Sequence, residues 1–123
     1  QLTLGQTFGP PIETGAGYGT WLHGEAVAAG MVMASEFSRR LGWLDRADVD
    51  RVRSLLARAG LQADPPRLGG NRALELMRLD KKVRAGRIRL VLLDRIGHAV
   101  CTDDYPDDAL ATLLDDMLGG ATA

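Results

Sequence analysis

Between residues 23 and 41 the small and apolar positions Val27, Gly30, Met31, Ala34, Phe37 and Leu41 return at helical spacing, with Glu36, Arg39 and Arg40 on the other side. The stretch Ala26 to Ala34 is small or apolar at almost every position. A helix of that composition is packed on several sides, so it is predicted to be the buried centre of the fold, with Gly42 as its stop. A second helix is expected from about Arg46 to Ala59. Val49, Val52, Leu55 and Leu56 form its predicted buried stripe, and Gly60 ends it. Pro65-Pro66 then enforces an extended connection. A third helix is predicted to start near Asn71, whose side chain suits a cap, to bury Leu74 and Met77, and to end around Asp80-Lys81-Lys82.

The period changes from Arg87 to Leu93, where Ile88, Leu90 and Leu92 alternate with Arg89, Val91 and Leu93. After Ile96-Gly97-His98 comes a second short extended run, Ala99-Val100-Cys101-Thr102. Two such runs around a glycine-bearing turn predict a β-hairpin. Pro106, Asp107 and Asp108 introduce a last helix with Leu110, Leu113, Leu114, Met117 and Leu118 on one face, ended by Gly119-Gly120. No internal repeat or low-complexity tract is present. The expectation is one mainly α domain over residues 1–123, with about five helices and one small β-hairpin.

A chain of 123 residues supports one modest core, and 46% hydrophobic with 25% charged residues is ordinary globular composition. The 15 basic and 16 acidic side chains leave a net charge of −1. No basic face for a polyphosphate backbone follows from that balance, so nucleic acid is not an expected partner. No apolar run approaches the roughly 20 residues that cross a bilayer. Cys101 is the single cysteine and cannot form an internal disulfide. With no signal-peptide pattern, the expected location is the cytoplasm. The chain opens on Gln1 without an initiator Met, which reads as the middle of a longer protein whose other residues the function needs.

Candidate chemistry is densest in the first 30 residues: Gly5-Gln6-Thr7-Phe8-Gly9, Gly15-Ala16-Gly17-Tyr18-Gly19, then Trp21-Leu22-His23-Gly24-Glu25. The Gly15-x-Gly17-x-Gly19 run has neither the spacing nor the preceding strand of a dinucleotide fingerprint, and a tight turn explains it. His23 stands at the mouth of the central helix, where the helix dipole disfavours imidazolium and leaves a neutral ring able to ligate a metal. On the residues alone a capping or packed histidine is the simpler reading, because a catalytic zinc needs three protein ligands. His98 and Cys101 on the hairpin are assigned turn and core roles, and Trp21 and Trp43 packing roles.

The run Leu4-Gly5-Gln6-Thr7-Phe8-Gly9-Pro10-Pro11-Ile12-Glu13, then Gly17-Tyr18-Gly19 and Leu22-His23-Gly24-Glu25-Ala26-Val27-Ala28-Ala29-Gly30-Met31, resembles the C-terminal domain of 3-dehydroquinate synthase. That family's pattern reads L-G-H-T-F-G-H-A-I-E, then G-Y-G-x-W-L-H-G-E-A-V-A-x-G-M. Asp80-Lys81-Lys82-Val83 and the strand Ile88 to Leu92 follow in the expected order, so the likeness covers essentially the whole chain. The resemblance implies a sugar phosphate cyclase, a lyase of the shikimate pathway in aromatic amino acid biosynthesis. It uses NAD and a divalent metal, zinc or cobalt, to turn a seven-carbon keto-acid phosphate into 3-dehydroquinate. NAD transiently oxidises a hydroxyl, phosphate is eliminated, hydride returns, and the ring opens and closes by an aldol step. The metal polarises the oxygen at the oxidised carbon.

The same resemblance implies partners and sites. An N-terminal half, absent here, holds NAD and a glutamate ligand, so this chain carries no cofactor-binding residue, and the full-length parent is a homodimer. His23 matches a metal histidine. Lys81 and Lys82 match the segment where a lysine contacts the small anionic sugar-acid phosphate, although a solvated pair at a helix C-terminus is what the residues alone imply. Thr3 falls where the family has a substrate-binding asparagine. No residue is assigned a catalytic role outright. Gln6 stands in place of the other metal histidine and Pro10 in place of a second histidine. Gln6 offers zinc only a weak amide oxygen, and Pro10 offers nothing. Neither NAD nor the metal is therefore expected to bind tightly to this chain alone, and the chain is expected to be inactive. The alternatives are a non-catalytic relative kept as an interaction or dimerisation module, and a cyclase acting on another sugar phosphate.

Overall fold

A computed structural model of the chain describes residue 8 and residues 23–61, 69–80, 83–84, 87–106 and 108–119. Its centre is helix α1, His23–Arg40. Ala26, Ala29, Met33, Ala34 and Phe37 enter one core cluster, and Ala28 and Val32 enter another on a different side. The run of small residues between Ala26 and Ala34 is what lets neighbours approach from both directions, as predicted. Burial on that scale catches Ser35 and Ser38 as well, both fully buried. Each hydroxyl donates to the carbonyl one turn back, Ser35 Oγ to Met31 at 2.8 Å and Ser38 Oγ to Ala34 at 3.1 Å. Ser38 Oγ also accepts the Leu93 N–H at 3.1 Å, which ties the hairpin to the helix.

The predicted glycine stop is met. Gly42 has φ +86°, its N–H donates to the Arg39 carbonyl, and the Trp43 N–H donates to Ser38. That is a Schellman ending, and it is built again at Gly60 of the next helix, where Leu61 N–H donates to Leu56 and packs on the same small cluster. This second helix, α2 (Arg46–Arg58), opens with a reciprocal box between Asp45 and Asp48, each side chain accepting the other's N–H. Val49, Val52 and Leu56 are its buried residues. Leu55, predicted to join them, is 55% exposed. At about 100° per residue it falls to one side of the line through the other three, and α2 is covered along that line only.

Helix α3 (Gly70–Asp80) buries Ala73, Leu76 and Met77. Asn71 is its second residue rather than its cap; the first turn closes instead on Gly69, whose carbonyl accepts the Ala73 N–H. After α3 the extended part differs from the single hairpin predicted. Strands β1 (Val83–Arg84) and β2 (Arg87–Ile88) pair antiparallel, and β3 (Leu90–Arg95) pairs separately with β4 (His98–Thr102) around Ile96-Gly97. The run from Arg87 to Leu93 is thus split at exposed Arg89 between two partners. Leu90 to Leu93 are all buried while β4 is mostly exposed, because β3 lies against α1 and β4 covers only its outer edge. Helix α4 (Ala109–Met117) puts Leu110, Leu113 and Leu114 into the large core, with Leu118 following. Four helices lie among the described residues, one fewer than the five expected.

Candidate functional site

The residues singled out for chemistry lie at the borders of this packed centre. His23 is the first residue of α1; its side chain falls outside the described part. Thr3, Gln6, Pro10, Lys81 and Lys82 also lie outside the described residues. Their described neighbours are firmly held. Phe8, between Gln6 and Pro10 in sequence, is 1% exposed and belongs to the same core cluster as Ala26 and Ala29 of α1. Helix α3 ends on Asp80, immediately before Lys81.

The described charges form two constellations that the sequence did not flag. Glu36, on α1, accepts bonds from Arg39 Nε and Nη2 at 2.7 Å and from Arg40 Nε at 2.9 Å. Arg40 also reaches Asp116 of α4 at 2.8 Å. The Arg39 bonds, joined by those of Arg40 and opposed by burial, hold the Glu36 carboxyl down to about 2, and the same pairing raises Arg39. The second constellation surrounds Tyr105. Its hydroxyl donates to the Ile88 carbonyl at 2.6 Å, and its ring meets Phe37 edge-on with centroids 5.4 Å apart. The Arg87 guanidinium sits over that ring, 4.8 Å from its centre, and donates to the Asp103 carbonyl at 2.7 Å and to the Tyr105 carbonyl. Burial pushes the Tyr105 hydroxyl up, against the pull of Arg87. Beside it a groove of about 70 Å³ opens, lined by Leu74 and Arg78 of α3, Arg87 and Ile88 of β2, and Leu110 of α4. The density of arginine from residue 78 to residue 89 was the signal available in the sequence.

His98 and Cys101 have the peripheral places expected of the hairpin, but both are exposed, so the core role fails. His98 Nδ1 lies 2.7 Å from Asp94 Oδ1 across the turn. Trp43, assigned to packing, is 36% exposed just beyond the end of α1. Among the described residues no three His, Cys, Asp or Glu side chains come together to hold a metal ion. Of the two positions that the resemblance matches to metal histidines, His23 carries an imidazole and Gln6 only an amide. One imidazole and one amide oxygen do not fit zinc, which takes three strong protein donors at a catalytic site. No described helix is long and apolar enough to cross a membrane.

Helix α1 framed by α2 on one side and by α3, α4 and the hairpin on the other is an arrangement shared with sugar phosphate cyclases. A 2-epi-5-epi-valiolone synthase from Streptomyces hygroscopicus, solved with NAD+ and Zn2+ bound, superposes with a TM-score of 0.76 at 26% identity, over 93% of this chain and 31% of that one. A 2-deoxy-scyllo-inosose synthase, solved with carbaglucose-6-phosphate, NAD+ and Co2+, shares the fold with a TM-score of 0.75 at 23% identity, over 94% of this chain and 34% of that one. Residues 1–83 match the family model for the C-terminal part of 3-dehydroquinate synthase, and the chain belongs to that family. It is 59% identical over 115 residues to the 3-dehydroquinate synthase of Azotobacter vinelandii, covering 93% of this chain and 31% of that protein. It is 56% identical over 115 residues to that of Nitrosococcus oceani, covering 93% and 32%. The chain therefore spans about a third of the length of the curated relatives it matches.

Proposed function

We propose that this chain is the helical, substrate-facing C-terminal part of a 3-dehydroquinate synthase-like lyase, and that its metal donor set is too depleted for efficient turnover. The reaction is phosphate elimination and cyclisation of a seven-carbon keto-acid phosphate to 3-dehydroquinate, in cytoplasmic aromatic amino acid biosynthesis. The carrying observation is 59% identity to a 3-dehydroquinate synthase over nearly the whole chain. The domain reading is one unit over residues 1–123, joined in the full-length protein to an NAD-binding half and paired as a homodimer.

Within the chain, His23 is the metal-facing imidazole, and Lys81, Lys82 and Thr3 contact the anionic substrate. The geometry that supports these roles is local. Helix α1 buries Ala26, Ala28 and Ala29 just after His23, so the start of the helix has a fixed base. Phe8, between Gln6 and Pro10 in sequence, is buried in the α1 core. NAD supplies transient hydride removal when bound to the other half; the residues of this chain bind and orient the phosphate-bearing substrate. Gln6 and Pro10 favour a second reading, a non-catalytic relative retained as an interaction or dimerisation module. The likeness to 2-epi-5-epi-valiolone synthase keeps other sugar phosphates in the substrate panel.

Phosphate release by the full-length protein, with and without the Gln6→His and Pro10→His replacements, tests the proposal. Restoring a lost ligand is expected to raise the rate by about 10²-fold or more. A double variant no faster than the parent refutes the ligand-loss explanation and leaves the non-catalytic reading.

A further inference from the structure

Resting on the reading of Lys81 and Lys82 as substrate contacts, we propose that Tyr105 is a positioning residue for substrate binding. It acts by holding β2, the partner of the strand that begins directly after Lys82.

Strands β1 and β2 are two residues each, with Val83 paired to Ile88 and Arg84 to Arg87. A two-stranded ribbon of that length does not hold itself in water. Its place has to come from bonds made outside the ribbon, and β2 makes them with the stretch Asp103 to Tyr105. The Arg87 guanidinium donates to the Asp103 carbonyl at 2.7 Å and to the Tyr105 carbonyl. In the other direction the Tyr105 hydroxyl donates to the Ile88 carbonyl at 2.6 Å. Both residues of β2 are thus tied to Tyr105, one through its side chain and one through its main chain.

Tyr105 is in turn fixed to the centre of the fold. Its buried ring meets Phe37 of α1 edge-on, and Phe37 is fully buried. The support therefore runs from Phe37 to Tyr105, then to Arg87 and Ile88, and across the ladder to Val83 and Arg84. A binding side chain works only while its supports hold it within about 0.5 Å of the productive place. The hydroxyl is the part of Tyr105 that can be removed without disturbing its ring. Ile88 is 3% exposed, so loss of that donor leaves a buried carbonyl short of a bond and draws β2 toward water.

The test is calorimetric titration of the seven-carbon keto-acid phosphate into the full-length protein. NADH takes the place of NAD, so the nucleotide site is filled, no hydride can be accepted, and the heat reports binding alone. Tyr105→Phe is expected to weaken the affinity by about three- to tenfold, the scale of one hydrogen bond. Lys81→Gln and Lys82→Gln are made singly. In the background of whichever weakens binding, Tyr105→Phe is expected to change the affinity by less than about twofold, because the contact it positions is gone. Leu56→Ala, which loosens the fold on the α2 side, is the control and is expected to leave the affinity unchanged.

Three results overturn the positioning role alone: no loss from Tyr105→Phe, the same loss with and without the lysine, or a loss as large from Leu56→Ala. No binding by the unaltered protein, or an affinity that neither lysine replacement changes, removes the substrate role of the lysines and the positioning role with it. The two failures are told apart by the lysine variants.

Discussion

The two sides of α1 are held in different ways. Toward α3, α4 and the hairpin it joins a cluster of sixteen buried residues among those described, five of them its own, that includes Phe8, Phe37, Met77 and Leu113. Toward α2 the buried cluster has four members among the described residues, Ala28, Val32, Val52 and Leu56. Among the described residues the first side is sealed by side chains from α3, β2, β3 and α4, with Phe8, Tyr105 and Leu118. Among the described residues the second side draws its buried cover from one helix, edged by Leu61, Ile96 and Met117, whose ends are fixed by backbone and carboxylate bonds, the Asp45–Asp48 box and the Gly60 ending. Apolar burial dominates one side and local hydrogen bonding the other, so the two should fail under different insults.

The largest expected effect comes from the heavier side. Phe37→Ala removes a fully buried ring and its edge contact with Tyr105, and should cost about 3–5 kcal/mol in urea unfolding. Leu56→Ala on the lighter side, at 9% exposure, should cost about 2 kcal/mol, near the low end for leucine truncation, because α2 settles inward more easily than a core bounded from several directions. Equal losses would erase the distinction between the two sides.

A smaller effect sharpens the comparison by pH. The Glu36 carboxyl is depressed from 4.5 to about 2, so the folded state binds its proton later than the unfolded state does. Its contribution is complete above about pH 4.5 and is lost as the pH falls through about 2. After allowance for solvent screening this amounts to about 1–2 kcal/mol. Glu36→Gln should therefore narrow the stability difference between pH 5 and pH 2.5 relative to the unaltered protein, as read from urea midpoints. An unchanged difference would mean that the Arg39 and Arg40 pairing is too exposed to matter.

Much of the fold was legible because it follows from period and punctuation. The small-residue run from Ala26 to Ala34 announced a helix packed on several sides, and Gly42 and Gly60 announced two helix ends. Leu110, Leu113, Leu114 and Leu118 announced the face of α4. Other features depend on partners that no local window contains. Leu55 reads as core by composition, yet the narrow cover over α2 leaves it outside. Arg87 and Ile88 read as the start of one strand, yet they turn back to Val83 and Arg84. The Gly69 carbonyl displaced Asn71 as the closing group of α3. At His23 and Lys81-Lys82 the sequence offers a motif resemblance, and those side chains lie outside the described residues. The Arg87–Tyr105 constellation was not legible, because its bonds run to main-chain carbonyls of Asp103, Tyr105 and Ile88, and any sequence supplies carbonyls.

Zinc titration of the full-length protein, followed by calorimetry, tests the claim that Gln6 and Pro10 leave a depleted donor set around His23. The account predicts affinity weaker than about micromolar for the natural sequence, and a gain of about tenfold or more on Gln6→His. Micromolar or tighter zinc binding that is lost on Gln6→Ala would contradict it.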